Sequence, residues 1–181
     1  SVTLEDFEHA QAIFIFGQNP GTNHPRMLGE LRSAAKRGCR IVAFNPLRER
    51  GLERFANPQS PADMLGGSGV QLASEYYQPR IGGDLAVATA LCKVVIESGA
   101  VDRAFVAAYT HGYDDFEANV RATQWDALER ESGLSRVDLE QAARTYLASD
   151  ATIVCWGMGI TQHPRSVATI QMLANLLLLR G

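Results

Sequence analysis

Two short apolar runs decide the fold: Ala12-Ile13-Phe14-Ile15-Phe16, closed at once by Gly17, and Arg40-Ile41-Val42-Ala43-Phe44, closed by Asn45 and Pro46. Neither alternates apolar with polar residues. Each therefore reads as a strand buried on both faces, the habit of a parallel sheet. Between them Met27, Leu28, Leu31 and Ala35 recur at helical spacing. Asn23 or His24 stands where an N-cap belongs, Pro25 suits a first helical turn, and Gly38 ends the helix. Strand, helix and strand within roughly thirty residues make the usual right-handed crossover.

Outward from this unit, residues 57–70 (NPQSPADMLGGSGV) are rich in Pro, Gly and Ser and read as a loop. Tyr76 and Tyr77 suggest a third strand. Gly82 and Gly83 lead into Asp84, which opens a helix carrying Leu85, Ala88, Leu91, Cys92 and Val95. Further helices are expected over 102–109, 116–131 and 135–148. Ser135 with Asp138 three residues on approximates a capping box. The run Ala151 to Trp156 is a last strand, and a helix follows from Pro164 or Arg165 to Leu179. Helices alternating with buried strands give an α/β fold, a mostly parallel Rossmann-like sheet with helices on both faces, in a single domain over 1–181.

Composition narrows the function. Hydrophobic residues make up 46% and charged residues 20% of 181, with a net charge of -3. That balance favours neither nucleic acid nor a membrane surface as partner. The longest apolar run, Leu173 to Leu179, is broken by Asn175 and too short to span a bilayer. Cys39, Cys92 and Cys155 lie far apart and form no CxxC pair, so they read as buried free thiols of a cytoplasmic protein. The chain has no starting Met and closes on an apolar run, as expected of a domain cut from a longer polypeptide.

The chemistry gathers at strand ends, where open parallel sheets bind ligands. The first end reads Gly17-Gln18-Asn19-Pro20-Gly21-Thr22-Asn23-His24-Pro25, the second Asn45-Pro46-Leu47-Arg48-Glu49-Arg50, the last Gly157-Met158-Gly159-Ile160-Thr161-Gln162-His163. Gly82-Gly83-Asp84 is a fourth candidate wall. Glycines admit close backbone approach, and a helix starting near Pro25 would aim N–H groups at an anion. Arg48, Arg50 and Arg54 would neutralise phosphates. Neither GxGxxG nor a P-loop is present. His24, His111 and His163 lack metal-ligand spacing and read as a helix cap, a surface loop and a strand-end hydrogen bond. Asp114 and Asp115 read as a helix N-terminus, and Trp125 and Trp156 as core, with ring stacking at the strand end the alternative for Trp156. The residues alone leave two readings open: a cofactor domain of a larger enzyme, or a stand-alone nucleotide- or anion-binding module without redox chemistry.

Several segments carry a resemblance. Gly17 through Pro25 is similar to the G-x-N-P-x-x-x-H-P segment of molybdopterin oxidoreductase large subunits. Trp156 through Gln162 resembles the W-G-M-G-x-T-Q segment of formate dehydrogenases. Lys36-Arg37-Gly38 with Asn45-Pro46, then Gly82-Gly83-Asp84, Phe105-Val106, Gly112-Tyr113-Asp114 and Ser132 to Ala143 match in order, so the resemblance covers nearly the whole chain. The string from Asn45 to Phe55 looks like one branch of the family whose substrate is less defined.

The resemblance implies a parent oxidoreductase holding molybdenum through two pterin guanine dinucleotides (bis-MGD), with a 4Fe-4S cluster elsewhere in the polypeptide. Its partners would be the remaining domains and a small-molecule substrate. This chain would grip one dinucleotide and be inactive alone. Carried over by position, the contacts fall on Gly17, Asn19, Thr22, Asn23 and His24, on Asn45, Pro46 and Arg48, on Gly82 and Asp84, and on Gly157, Met158, Gly159 and Gln162. Asp84 would accept hydrogen bonds from the guanine edge, the N–H groups of Gly157 and Gly159 would reach the dinucleotide, and Gln162 would hydrogen-bond it. Asn45 and Leu47 stand where formate dehydrogenases have Asp and Arg, and the loop over 57–71 is longer. Cys155 does not match the metal-ligand position, and no catalytic or metal-ligating residue is assigned to this chain.

Overall fold

A computed structural model describes residues 2–61, 63 and 69–181. Within the loop expected over 57–70, residues 62 and 64–68 lie outside the described residues. The chain divides into two compact units, Ser1–Gln78 with Ser149–Gly159, and Pro79–Ala148 with Ile160–Gly181.

The first unit carries the sheet. Its strands are β1 (Ala12–Phe16), β2 (Arg40–Phe44), β5 (Glu75–Tyr77) and β6 (Thr152–Trp156), in the order β5-β2-β1-β6 and all parallel. β1 pairs with β2 from Ala12↔Arg40 to Phe16↔Phe44, and with β6 from Ala12↔Thr152 to Phe16↔Trp156. Both faces of β1 and β2 are buried, as the unbroken apolar runs require. Ile13, Ile15, Ile41, Ala43 and Ile153 form one face and pack with Leu28, Leu31 and Ala34. Those three belong to α2 (Met27–Lys36), and their spacing keeps them on one side of the helix. The other face is aromatic: the Phe16 and Phe44 rings stack at 4.5 Å, and Phe44 and Tyr77 at 5.3 Å. A short α1 (Pro20–Asn23) precedes α2. α3 (Arg50–Glu53) follows β2 and runs into a small antiparallel pair, β3 (Arg54–Phe55) with β4 (Val70–Gln71).

The second unit is helical. Its centre is α4 (Asp84–Glu97), buried along most of its length. Around it pack α6 (Tyr113–Ala122), α7 (Trp125–Ser132), α8 (Arg136–Leu147) and α10 (Ser166–Leu178); α5 (Arg103–Tyr109) completes the set. The helix expected over 116–131 starts earlier, at Tyr113, and breaks at Thr123–Gln124. Lys93 explains part of that break. Its buried ammonium donates to the carbonyls of Val120 (3.3 Å) and Arg121 (2.7 Å), capping the last turn of α6. Ser135 caps α8 as expected, its hydroxyl accepting from the Asp138 N–H at 3.2 Å. Asp114 and Asp115 occupy the first turn of α6, also as expected. No helix among the described residues is long and apolar enough to cross a membrane.

Candidate functional site

In the sheet, β2 and β5 lie on one side of β1 and β6 on the other. The strand order therefore reverses beside β1, and the crevice at a parallel sheet's carboxyl ends opens at such a reversal. Gly17 and Gly157 leave β1 and β6 there. Gly17 has φ 53° and donates its N–H to Phe44 O at 2.9 Å. Gly157 donates to Phe16 O at 3.1 Å, and Gly159 to Gly17 O at 3.0 Å. A Cβ on Gly159 would lie 2.8 Å from Gly17 O and 2.9 Å from Gly17 Cα; one on Gly157 would lie 2.9 Å from the same oxygen. These glycines serve a different need from the one expected. Their N–H groups are engaged within the protein, and their missing side chains let two loops cross backbone to backbone. Met158, which opens the four-residue α9 (Met158–Thr161), is exposed beside them.

The loop after β1 also differs in detail. The expected helix start near Pro25 is displaced. Pro20–Asn23 folds instead as α1, because the Asn19 side chain accepts the Thr22 N–H at 3.2 Å and Pro20 occupies the first turn. His24 closes α1, and α2 begins only at Met27 without a side-chain cap. Asn19 is thus a cap, while Thr22, Asn23 and His24 are exposed. Gly21 rests on Gly51 of α3: a Cβ on Gly51 would meet Gly21 Cα at 2.6 Å. Gly51 escaped the sequence reading because nothing in its own neighbourhood shows the distant loop it faces.

In the second loop the Asn45 amide donates to Leu47 O at 2.9 Å, and Gln78 holds the Pro46 carbonyl at 2.9 Å. Arg48 pairs with Glu53 and lies over the Tyr76 ring at 5.1 Å. Its charge is therefore already partnered, contrary to the expectation of a guanidinium held open for phosphate. Arg54 donates to the Gly69 carbonyl at 3.3 Å, and Arg50 is exposed.

Gln18 is the residue the sequence reading passed over. It is buried, its amide nitrogen lies 3.2 Å from His24 Nδ1 and 3.6 Å from the Met27 sulfur, and its Oε1 has no partner. A buried amide oxygen left open is costly and marks a place for a donor. Gln18 is among the residues lining a groove of 690 Å³, with Phe7, His24, Met27, Cys155 and Trp156. Trp156 is 40% exposed, so it is not core, and it lines this groove. Trp125 is half-buried under the Arg136 guanidinium at 4.6 Å. Cys39 and Cys92 are buried and Cys155 half-buried, all three free; burial pushes the thiols of Cys39 and Cys155 up to about 11 and that of Cys92 higher.

In the second unit, Gly82 (φ 78°) makes the turn and Gly83 packs its backbone on α7, where a Cβ would meet Glu131 O at 2.7 Å. That contact presents Asp84 at the first turn of α4 as a buried carboxyl. Burial pushes its pKa up against the pull of His163, and Oδ1 has no partner. Gln162 is exposed, and Arg165 pairs with Glu131 at 2.8 Å. Among the described residues no group of three His, Cys, Asp or Glu side chains is placed to hold a metal.

A parallel α/β sheet with a glycine-locked reversal point and neutral hydrogen-bonding loops at its carboxyl ends defines a Rossmann-like α/β class of domain. The particular family follows from comparison: the chain belongs to the molybdopterin oxidoreductase family, whose profile matches residues 1–181. Along its whole length it is 45% identical to Protein YdeP of Escherichia coli K12 and 27% identical to formate dehydrogenase H of the same organism, covering 25% and 23% of those proteins. It is 42% identical to an uncharacterized oxidoreductase of Mycobacterium tuberculosis H37Rv, covering 24% of it. The chain thus spans about a quarter of the length of these relatives. Acetylene hydratase from Pelobacter acetylenicus shares the fold, with a TM-score of 0.78 over 95% of this chain and 21% of that one at 20% identity.

Proposed function

We propose that the chain is one dinucleotide-binding domain of a formate dehydrogenase-like molybdenum oxidoreductase, and that it holds one molybdopterin guanine dinucleotide of a bis-MGD cofactor. The observation that carries this reading is the β1–β6 reversal point. Gly17, Gly157 and Gly159 lock it. Thr22, Asn23 and His24 stand exposed beside it, and Gln18, whose buried Oε1 has no partner, lines a groove together with the exposed Trp156. A flat, polar-edged heteroaromatic ring with a long polar tail suits such a surface: the ring stacks, the amide oxygen takes a ring N–H, and neutral donors hold the tail.

The chain's own work is binding and orientation. Asn19 fixes the loop so that Thr22 and Asn23 present hydroxyl and amide groups, and Arg48 reaches a phosphate only by sharing itself with Glu53. Gly82 and Asp84 are assigned to the guanine end, with Met158 and Gln162 as further contacts. When bound, the molybdenum centre would supply two-electron exchange with a small substrate. The residues that ligate the metal, and the cysteines of a 4Fe-4S cluster, are assigned to the rest of the parent polypeptide. The greater length of the relatives favours this reading over a stand-alone binding module.

The test is the composition of the purified full-length parent: molybdenum by mass spectrometry and guanine nucleotide released by acid. The proposal expects two guanine nucleotides per molybdenum. A parent with no molybdenum, or with molybdenum and no guanine nucleotide, would sink it.

A further inference from the structure

In the second unit α6 and α10 both pack on α4. Two cavities of 370 Å³ each lie along these helices, and Phe116 of α6 lines both. On α10 one is lined by Asn175 and Leu178, the other by Met172. Residues three apart share one side of a helix, so these three form a single wall. Phe116 and Asn119 stand three apart in the same way on α6, and α4 adds Leu85. The two cavities are thus one trough walled by α6 and α10. Asn119 and Leu178 are exposed, so it opens at the surface of this chain.

The trough is chemically uniform. Among the described residues that line it there is no Lys or Arg, and Glu131, the only acid, is taken by Arg165 at 2.8 Å. The charged residues of α6, Asp114, Asp115, Glu117 and Arg121, line neither cavity. α10 has no charged residue in its thirteen. Turned away from its buried Leu173 and Leu176 are Val167, 68% exposed, and Leu178, 41% exposed. A surface helix normally carries charge on that side, and a helix without it belongs inside a larger body.

We infer that the trough between α6 and α10 receives an amphipathic helix from the parent polypeptide outside these 181 residues. This rests on the proposal that the chain is one domain of a longer enzyme, and it adds the face on which the remainder docks. The chain covers 25% of Protein YdeP and 23% of formate dehydrogenase H, so about three quarters of a parent of that length is free to supply the occupant. Two parallel-sided helices resting on a third offer the groove that a further helix fills, with apolar anchors at i, i+3, i+4 and i+7. With no free charge in the trough, a charged anchor would be desolvated without a partner, so the inward face of the occupant is uncharged.

The experiment compares maleimide labelling of Asn119→Cys and Leu178→Cys in the 181-residue protein and in the full-length parent, read by peptide mass spectrometry. Gln141→Cys on α8 is the control. Both trough cysteines should label readily in the 181-residue protein and about tenfold or more slowly in the parent, the factor set by about 1.4 kcal/mol of local opening. The control should label alike in both. A benzoylphenylalanine photocrosslinker at position 119 of the parent should capture a peptide from outside residues 1–181. Unchanged labelling in the parent, or slow labelling already in the 181-residue protein, would overturn the inference. So would a crosslink confined to residues 1–181, or one to a second copy, recognised by mixing isotopically heavy and light parent. The molybdenum and guanine content of the same preparation judges the dinucleotide reading separately.

Discussion

Gly159→Ala is the sharpest perturbation of the strand-end crossing. The new methyl would sit 2.8 Å from Gly17 O, 2.9 Å from Gly17 Cα and 3.2 Å from Gly17 C. All three are backbone atoms, so no side chain can swing aside. Overpacking of this kind costs about 1–3 kcal/mol. Relief requires the loops to part, which weakens the 3.0 Å bond from Gly159 N to Gly17 O at a cost of about 1 kcal/mol. Gly159 lies in α9, where alanine regains about 1 kcal/mol of helix propensity. The balance is a net loss of about 2 kcal/mol. For a protein of this size it lowers Tm by about 4–8 °C. Gly29→Ala is the control. Its Cβ meets nothing within 4 Å and it lies inside α2, so it should stabilise by about 0.5–1 kcal/mol. Thermal and urea unfolding of both variants provide the assay. Equal melting of Gly159→Ala and wild type would refute the claim that these glycines exist for backbone contact.

Lys93→Met should destabilise by about 2–3 kcal/mol in urea titrations, because it strips the carbonyl cap from α6. Glu97→Gln, removing the exposed end of the 3.0 Å ion pair, should cost under about 1 kcal/mol. Asp63 tethers the segment after α3 to α2 through two 2.7 Å bonds from Arg32, which hold its carboxyl below the usual carboxylate range. That contribution is present above the unfolded carboxylate pKa of about 4 and is lost as pH falls through the depressed folded value. Asp63→Asn should therefore flatten the acid limb of the Tm–pH curve, and an unchanged limb would count against the tether. Asp84 has the opposite sign. Burial raises its folded pKa, so its ionisation opposes folding and stability should rise as pH falls toward the unfolded value. Asp84→Asn should raise Tm at pH 8 and remove that slope, as expected of a carboxyl kept for binding. With their thiols pushed up to about 11 or higher, Cys39, Cys92 and Cys155 should all resist iodoacetamide at pH 8 in the native protein and all label in urea.

The strands were legible because a parallel sheet buried on both faces leaves an unbroken apolar run, and Ala12–Phe16 and Arg40–Phe44 are such runs. Ser135 and Asp138 announced the start of α8 because a cap is a local device. What the sequence hid is what depends on distant partners. The stop of α6 depends on Lys93, far along the chain. Gly157 and Gly159 looked like ligand-facing glycines because a missing side chain looks the same whether a ligand or another loop fills its place. Arg48 looked like a phosphate clamp because its pairing with Glu53 and Tyr76 depends on the fold of α3 and β5.

Hydrogen exchange on the full-length parent tests the central claim most directly, comparing protein made in a cofactor-producing host with protein made in one that cannot complete the cofactor. The account predicts slower exchange on loading in the segments 17–24, 45–48, 82–84 and 157–163, with α8 unchanged. Loaded and empty proteins exchanging alike across all four segments, with protection confined to regions outside this chain, would contradict it.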